Sequence, residues 1–502
     1  MSVEGTARRE WDDKTFKRVL KQVRTEGRID ANGLRISSER LKRILEAAPQ
    51  DPDDPERSLL RRASFVAVTF EGAASFGGVT FQEGATFYEA TFQGAAWFRK
   101  VTFGRQTVLR DASFQRDASF VQSTFQGDTI FDGATFQGEA SFLESTFEGA
   151  RDLGPLAVRE ALDLRGTVFA QPIRIEASAR ALRCSGAQFR GGADLLVRWA
   201  EVALDEADFA GPSMLVLWPE PVKGEDATLC DRPDSDREPA PRVVSMRGAK
   251  VANLTIAGAD LRPCRFEGAY GLDQLHLERI RFAETPSGWQ RTKRWPLPIR
   301  WTRRQAIAEE HQWRAERGGA TGWYGPEVQA TSDRSAPLAP EQIATIYRAL
   351  RKGREDRKDE PGAADFYYGE MEMRRQGPFR HEGKSRPGDS AVRPTPRSER
   401  LILWLYWLVS GYGLRASRAL IALGVTVVVF AFLFDWWGFR PDRGFGRTLL
   451  FSIESTSSLF RVPETEGFAL TAGGEVLQVV LRLLGPLFFG LALLSLRGRV
   501  KR

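Results

Sequence analysis

Large apolar residues recur along residues 65–147 at a spacing that suits neither a helix nor an ordinary strand. Phe65, Phe76, Phe87, Phe98, Leu109, Phe120, Phe131 and Phe142 stand eleven apart, and Phe70, Phe81, Phe92, Phe103, Phe114, Phe125, Phe136 and Phe147 keep the same period. Steps of five and six therefore alternate. A helix needs its apolar face at three- and four-residue spacing, and a strand alternates every two residues. The pattern predicts a chain that turns every five or six residues and stacks coil upon coil, each ring lying over one from the preceding coil. Offset ring stacking adds about 0.5–1.5 kcal/mol per pair beyond area burial.

Companion positions carry the same rhythm. Small or β-branched residues lie two before each large one, among them Ala74, Val79, Ala85, Ala90, Val101, Ala118, Ser123, Thr129 and Ser145. Gly72, Gly78, Gly94, Gly127, Gly133, Gly138 and Gly149 fall two after one, where glycine suits a corner with unusual dihedrals.

The stretches TFQEGATFYEATFQGAAWF (80–98) and TIFDGATFQGEASFLESTF (129–147) resemble the pentapeptide-repeat family. That resemblance implies a right-handed quadrilateral β-helix with four short faces per coil, the central Phe or Leu and the small residue two before it pointing inward. This sequence departs by a sixth residue in every second unit. With four faces kept, two such insertions fall in each coil, lengthening it from twenty positions to twenty-two.

After Ala150 the rhythm weakens and returns at CSGAQF (184–189), LDEADF (204–209) and the five-residue series Met246, Val251, Ile256, Leu261, Phe266. A solenoid over 61–283 is expected, with residues 219–242 as an excursion loop and Cys264 as a small core residue. Residues 1–60 form a helical cap: Phe16, Val19, Leu20 and Val23 share one helical face, and Leu41, Ile44 and Leu45 follow the cap candidates Ser37 and Ser38.

Residues 284–375 read as a helical juxtamembrane region, with helix over 301–317, a linker over 318–340, and a helical hairpin. Its first helix starts near Glu341 with Ile343, Ile346, Tyr347 and Leu350 on one side. Pro361 and Gly362 mark a break, and the second helix covers 364–375. Glu370, Glu372, Arg374 and Arg375 are its candidate interaction residues, with Glu370 and Arg374 also spaced as an ordinary (i, i+4) ion pair. Residues 376–400 form a basic tether.

Residues 401–502 read as a membrane domain. LILWLYWLV (401–409) is too short to cross a hydrocarbon core of about 30 Å, and its Trp and Tyr residues suit the membrane interface. Two transmembrane helices are expected near 417–437 and 476–496. Arg415 and Arg418 before the first, and Arg497, Arg499, Lys501 and Arg502 after the second, place the N-terminal region and the C-terminus in the cytoplasm of a cell-membrane protein. Between the spans, GRTLLFSIESTSSLFRVPE (446–464) makes the order of elements resemble a two-span potassium-channel module. The TVGYG filter of those channels is absent, so potassium selectivity has no visible basis. Glu454, Ser457 and Arg482 are the pore-region candidates.

Composition adds limits. The 72 basic and 65 acidic residues leave a net charge of +7, concentrated away from the repeats, which a membrane accounts for as well as nucleic acid. Cys184, Cys230 and Cys264 are odd in number and scattered, so a disulfide framework is not expected. The N-terminal MSVEGTARREWDDK has no apolar run, so no cleavable signal is expected. His276, His311 and His381 are isolated and no phosphate-binding glycine motif occurs, so no catalytic, cofactor or metal residue is assigned.

Some pentapeptide-repeat proteins resemble duplex DNA and bind DNA gyrase. Residues 65–150 carry ten acidic and five basic residues, a net of −5. That is sparse beside duplex DNA, with one charge per about 1.7 Å. The sequence thus favours a membrane-anchored scaffold that binds a protein partner and the bilayer, with homo-oligomers allowed and nucleic acid disfavoured. An ion-channel-like or gating protein is the first alternative, and a DNA-mimicking topoisomerase partner the second.

Overall fold

The computed structural model describes residues 10–52, 54–198, 200–217, 242–292, 295–301, 303–316, 323, 337–376, 396–440, 444–457 and 469–500. The chain divides into two compact units after Pro337. The expected excursion loop, Cys230 and nearly all of the linker and tether lie outside the described residues.

The first unit is a β-solenoid with four faces. In its first full coil the inward pairs Ala63 and Phe65, Val68 and Phe70, Ala74 and Phe76, and Val79 and Phe81 are all buried. Parallel strands of two or three residues join each coil to the next. Phe81 pairs with Phe103, then Phe125, Phe147 and Phe169 follow in register. The eleven-residue sequence period is therefore half a coil. From Phe169 the partners are Phe189 and Phe209, and the coil shortens to four five-residue faces as the sixth residues disappear. Bridges from Asp208 to Lys250 and on to Tyr270 carry the same face further.

The rings form columns. Phe70, Phe92, Phe114 and Phe136 stack at 4.5–4.7 Å between centroids, and Phe76, Phe98, Phe120 and Phe142 at 4.8–4.9 Å. Neighbouring columns meet edge to face, as between Phe87 and Phe98 at 5.6 Å. Several of the polar residues in the interior are held by hydrogen bonds to the coil before them. The Ser123 hydroxyl donates to the Phe98 carbonyl, and Thr167 Oγ1 to the Phe142 carbonyl at 2.8 Å. Burial pushes the Cys184 and Cys264 thiols well above their usual range, so both act as small core residues.

The corners correct the expectation for glycine. Left-handed φ values occur every eleven residues at Ala67, Gly78, Glu89, Lys100, Asp111, Gln122, Gly133 and Glu144, six of them not glycine. Of the seven repeat glycines singled out from sequence, only Gly78 and Gly133 have positive φ. The others serve close approach: a Cβ on Gly127 would sit 2.5 Å from the Arg105 carbonyl oxygen of the coil before it.

Beyond Ala150 the rhythm changes because a corner is lost. Asp152–Asp163 runs as one twelve-residue strand that pairs with both Ala134–Phe136 and Ala140–Ser141, two separate faces of the preceding coil. Arg159 and Glu160 occupy the former corner as exposed strand residues, with a register irregularity between Val158 and Ala161.

Both solenoid ends are covered. Helices α1 (Asp13–Glu26) and α2 (Ser38–Ala47) are capped by Asp12 and Ser37, and bury Phe16, Val23, Leu41 and Ile44. Two strands between them, Arg28–Asp30 and Arg35–Ile36, add a rung to the first coil, so this cap is not purely helical. At the other end, the helix observed among the described residues before Pro337 is α3 (Ala308–Glu316), preceded by the strands Trp295–Trp301 and Gln305–Ala306. Pro296 and Pro298 oppose helix in the approach to residue 301.

The second unit is helical. The hairpin consists of α4 (Pro340–Asp356) and α5 (Glu360–Gln376). Pro361 and Gly362 lie in the first turn of α5 and do not break it, because a first-turn proline forfeits no intrahelical bond. The Gly362 N–H instead donates to Asp359 Oδ1 at 3.2 Å. There follow α6 (Arg397–Ser410), α7 (Ala416–Leu433) continued by a π-helical turn over Phe434–Gly438, α8 (Phe445–Ser457) and α9 (Ala472–Val500). The segments Ala416–Gly438 and Ala472–Leu494 are long and apolar enough to cross a membrane, and most of each is exposed.

Candidate functional site

Tyr347 and Phe366 pack together inside the hairpin, and Gly369 of α5 is where the Tyr347 ring lands: a Cβ there would lie 2.7 Å from Tyr347 Cζ. This close fit turns two carboxylates of α5 inward. Glu370 is buried and meets Arg348 Nε at 3.0 Å, Arg351 Nε at 3.2 Å and Arg374 Nη1 at 3.8 Å. The sequence-visible pair Glu370–Arg374 is thus the longest of three contacts. The two shorter ones come from α4.

Glu372 is buried too and builds the more connected site. Its Oε1 accepts from Arg375 Nη2 at 2.6 Å, and its Oε2 accepts from the Tyr412 hydroxyl at 3.1 Å. Arg375 Nε also donates to the Tyr412 oxygen at 3.1 Å. The Arg375 guanidinium lies 4.6 Å from the Trp407 ring centre and that of Arg418 lies 5.0 Å from it, so one aromatic ring meets two cations. Trp407 Nε1 donates to the Tyr368 hydroxyl at 3.2 Å, and Tyr368 meets Tyr412 edge to face at 5.1 Å. Arg374 pairs with Glu399 at the start of α6.

Electrostatics follow from burial. Burial, then the Glu372 charge, raises the Tyr412 phenol far above its usual range, so Tyr412 is a permanent donor. Burial by itself would lower Arg375, but Glu372 and Tyr412 outweigh it and keep the guanidinium charged. Burial, followed by the Tyr406 charge, pushes the Tyr367 phenol up to about 12.

The backbone at this node is also unusual. Gly411, Tyr412 and Gly413 have φ of 56°, 60° and 75°, three successive left-handed residues that turn α6 into α7. A bulky non-glycine residue in that region is an outlier held by its surroundings. The two bonds on the Tyr412 hydroxyl are those surroundings.

Glu370, Glu372, Arg374 and Arg375 therefore lie together. Glu454 is exposed on α8, Arg482 is half-buried on α9, and Ser457 closes α8 with its side chain outside the described residues. The node does not include these three. Sequence reading did not assign Tyr412, Trp407, Tyr368, Arg348, Arg351 or Arg418 to a shared site. The available signal was Tyr412 between two glycines in SGYG, followed by Arg415 and Arg418.

In the first unit, the family described as pentapeptide repeats (9 copies) matches residues 57–102 and 109–151. The matched part of the solenoid is built of pentapeptide repeats. The match ends at the point where the corner dissolves into the Asp152–Asp163 strand, although the coils continue beyond it. The unmatched gap over 103–108 precedes Leu109, where phenylalanine is replaced in one column of this pentapeptide-repeat solenoid. No curated protein matches the chain.

Proposed function

We propose that the chain is a membrane-anchored binding scaffold: a rigid pentapeptide-repeat solenoid carried on two transmembrane helices, with no catalytic chemistry of its own. The carrying observation is the exposure of apolar side chains along both long helices. Ile421, Val425, Phe432, Val476, Leu483 and Leu494 are all exposed, which water penalises and lipid does not. The core helix of a soluble domain would bury such residues.

Helix α6 supports the same reading. At about 21 Å it is too short to span. It packs Leu403 against Tyr368, Met371 and Tyr412 while exposing Leu401, Ile402, Leu405 and Leu408. That division suits a helix lying in the membrane interface. Arg415 and Arg418 before the first span and the basic C-terminus favour both ends on the cytoplasmic side. The node at Glu372 and Tyr412 then acts as the mechanical link between the hairpin and the first span.

The test places photo-crosslinkers on the outer solenoid faces of the full chain in its native membrane. A single protein adduct in stoichiometric yield supports the scaffold, and absence of any adduct from every face counts against it.

One observation favours a conducting or gating role as the second reading. Thr448, Ser452 and Ser455 form a buried polar stripe on α8, and the backbone comes close to α9 at Gly485, where a Cβ would lie 2.6 Å from the Thr456 carbonyl. Ion flux through the full chain in liposomes, altered by Ser455→Ala, would support it. Silent liposomes containing oriented, assembled protein would sink it.

A further inference from the structure

The outer face of α1 is basic along its length. Lys14, Lys17, Arg18, Lys21 and Arg24 are all exposed and share an arc of about 120° at helical spacing, while Phe16 and Val23 face the interior of the cap. Asp13 and Glu26, at the two ends of the helix, flank that arc and do not enter it.

Three more arginines collect where the helix ends. Gly27 closes α1 with φ of 63°, and its carbonyl accepts from the Arg61 N–H at 2.7 Å. The next residue, Arg28, is the strand partner of Arg62. Arg28, Arg61 and Arg62 are exposed. Like charges set side by side on neighbouring strands cost stability unless an outside charge offsets them. No carboxylate among the described residues does so: the ion pairs of the cap use Arg35, Arg40, Lys42 and Arg57, and none of these eight cations.

The surroundings select the anion. Surfaces for single-stranded nucleic acid stack bases on exposed aromatic rings, and both aromatic residues of the cap, Trp11 and Phe16, are buried. On the membrane-anchored reading, Ala416–Gly438 and Ala472–Leu494 hold the chain at a bilayer, whose headgroups then stand at high effective concentration. The repeats beside the patch carry ten acidic and five basic residues over 65–150, which confines the attraction to this end of the unit.

We propose that the basic face of α1, extended by Arg28, Arg61 and Arg62, docks on the anionic phospholipid headgroups of the membrane that holds the chain. The solenoid then has a second attachment at its N-terminal end, besides the transmembrane helices. The proposal rests on the membrane-anchored reading and goes beyond it by assigning a lipid-binding surface to the cap.

The test uses the full chain in lipid nanodiscs, made either of phosphatidylcholine alone or of phosphatidylcholine mixed with phosphatidylglycerol. Lysine acetylation is read residue by residue by mass spectrometry. Lys14, Lys17 and Lys21 should be acetylated about fivefold more slowly in the anionic discs, and Lys42, which is paired with Glu46 outside the stripe, should not. The protection should vanish in about 0.5 M salt. Lys17→Glu with Arg24→Glu, both at exposed positions, should abolish it at Lys14 and Lys21. Equal acetylation in the two discs, or equal protection of Lys42, would overturn the proposal. Protection by a duplex DNA oligonucleotide added to phosphatidylcholine discs, with none from anionic lipid, would overturn it in favour of nucleic acid. A chain that enters the discs with these lysines unprotected leaves the anchor standing without the docking surface, whereas a chain that stays out of both discs overturns the anchor and the docking together.

Discussion

The Tyr412 hydroxyl donates to Glu372 Oε2 at 3.1 Å, joining residues forty positions apart in a buried contact. Tyr412 belongs to the left-handed turn before the first long apolar helix, and Glu372 to the hairpin. The hairpin is thereby tied to the turn that leads into α7 through a charge-assisted bond.

Substitutions at this bond should separate its parts. Tyr412→Phe removes the donor to Glu372 and the acceptor for Arg375, and should cost about 1–3 kcal/mol. Glu372→Gln should cost more, about 3–5 kcal/mol, because it leaves the buried Arg375 charge without its carboxylate. Thermal unfolding of the purified chain in detergent measures both, with a change at the exposed Glu355 expected to stay within about 0.5 kcal/mol.

The solenoid end should be pH-sensitive. Glu309 of α3 is buried and accepts from the Phe266 N–H, taking the place of the carbonyl that a further coil would supply. Burial raises its pKa from 4.5 to about 7. The folded state then binds more protons than the unfolded one between these values, so stability falls as pH rises from 4.5 to 7, by about 3 kcal/mol. His311, lowered by burial, acts oppositely as pH falls below 6.5. Comparing the wild-type chain with Glu309→Gln at pH 5 and pH 8 isolates the Glu309 share, and identical pH profiles would refute the assignment.

Two glycines in the repeats should respond differently to alanine. Gly127→Ala drives a Cβ into the Arg105 carbonyl of the neighbouring coil and should destabilise by about 2 kcal/mol or more. Gly78 has φ of 70° and open space around it, so Gly78→Ala should cost only about 1 kcal/mol. Equal losses in chemical denaturation would mean that corner dihedrals, and not coil-to-coil approach, govern both.

The long helices should fail to insert when their exposed face is charged. Val425→Asp lies mid-span, where an aspartate costs about 2.5–3.5 kcal/mol. Carbonate extraction should then release a substantial fraction of the chain. Unchanged retention would show that Val425 does not face lipid.

The repeated phenylalanines determined the solenoid, its inward pairs and its stacking, because a strictly local rhythm repeated eight times sends every ring to the same interior. The apolar runs near 417–437 and 476–496 likewise announced long helices by length and composition. What the eleven-residue rhythm left open was the coil itself. Only pairing across coils shows that Phe81 lies under Phe103 and not under Phe92, and that Gly94, Gly127 and Gly149 at six-residue corners answer to the backbone of the neighbouring coil.

The site at Glu372 was legible only in part, for the same reason. Sequence placed Glu370, Glu372, Arg374 and Arg375 on one helix, where local spacing suffices. Their partners Arg348, Tyr412, Trp407 and Arg418 come from three other stretches of chain, and no periodicity links them.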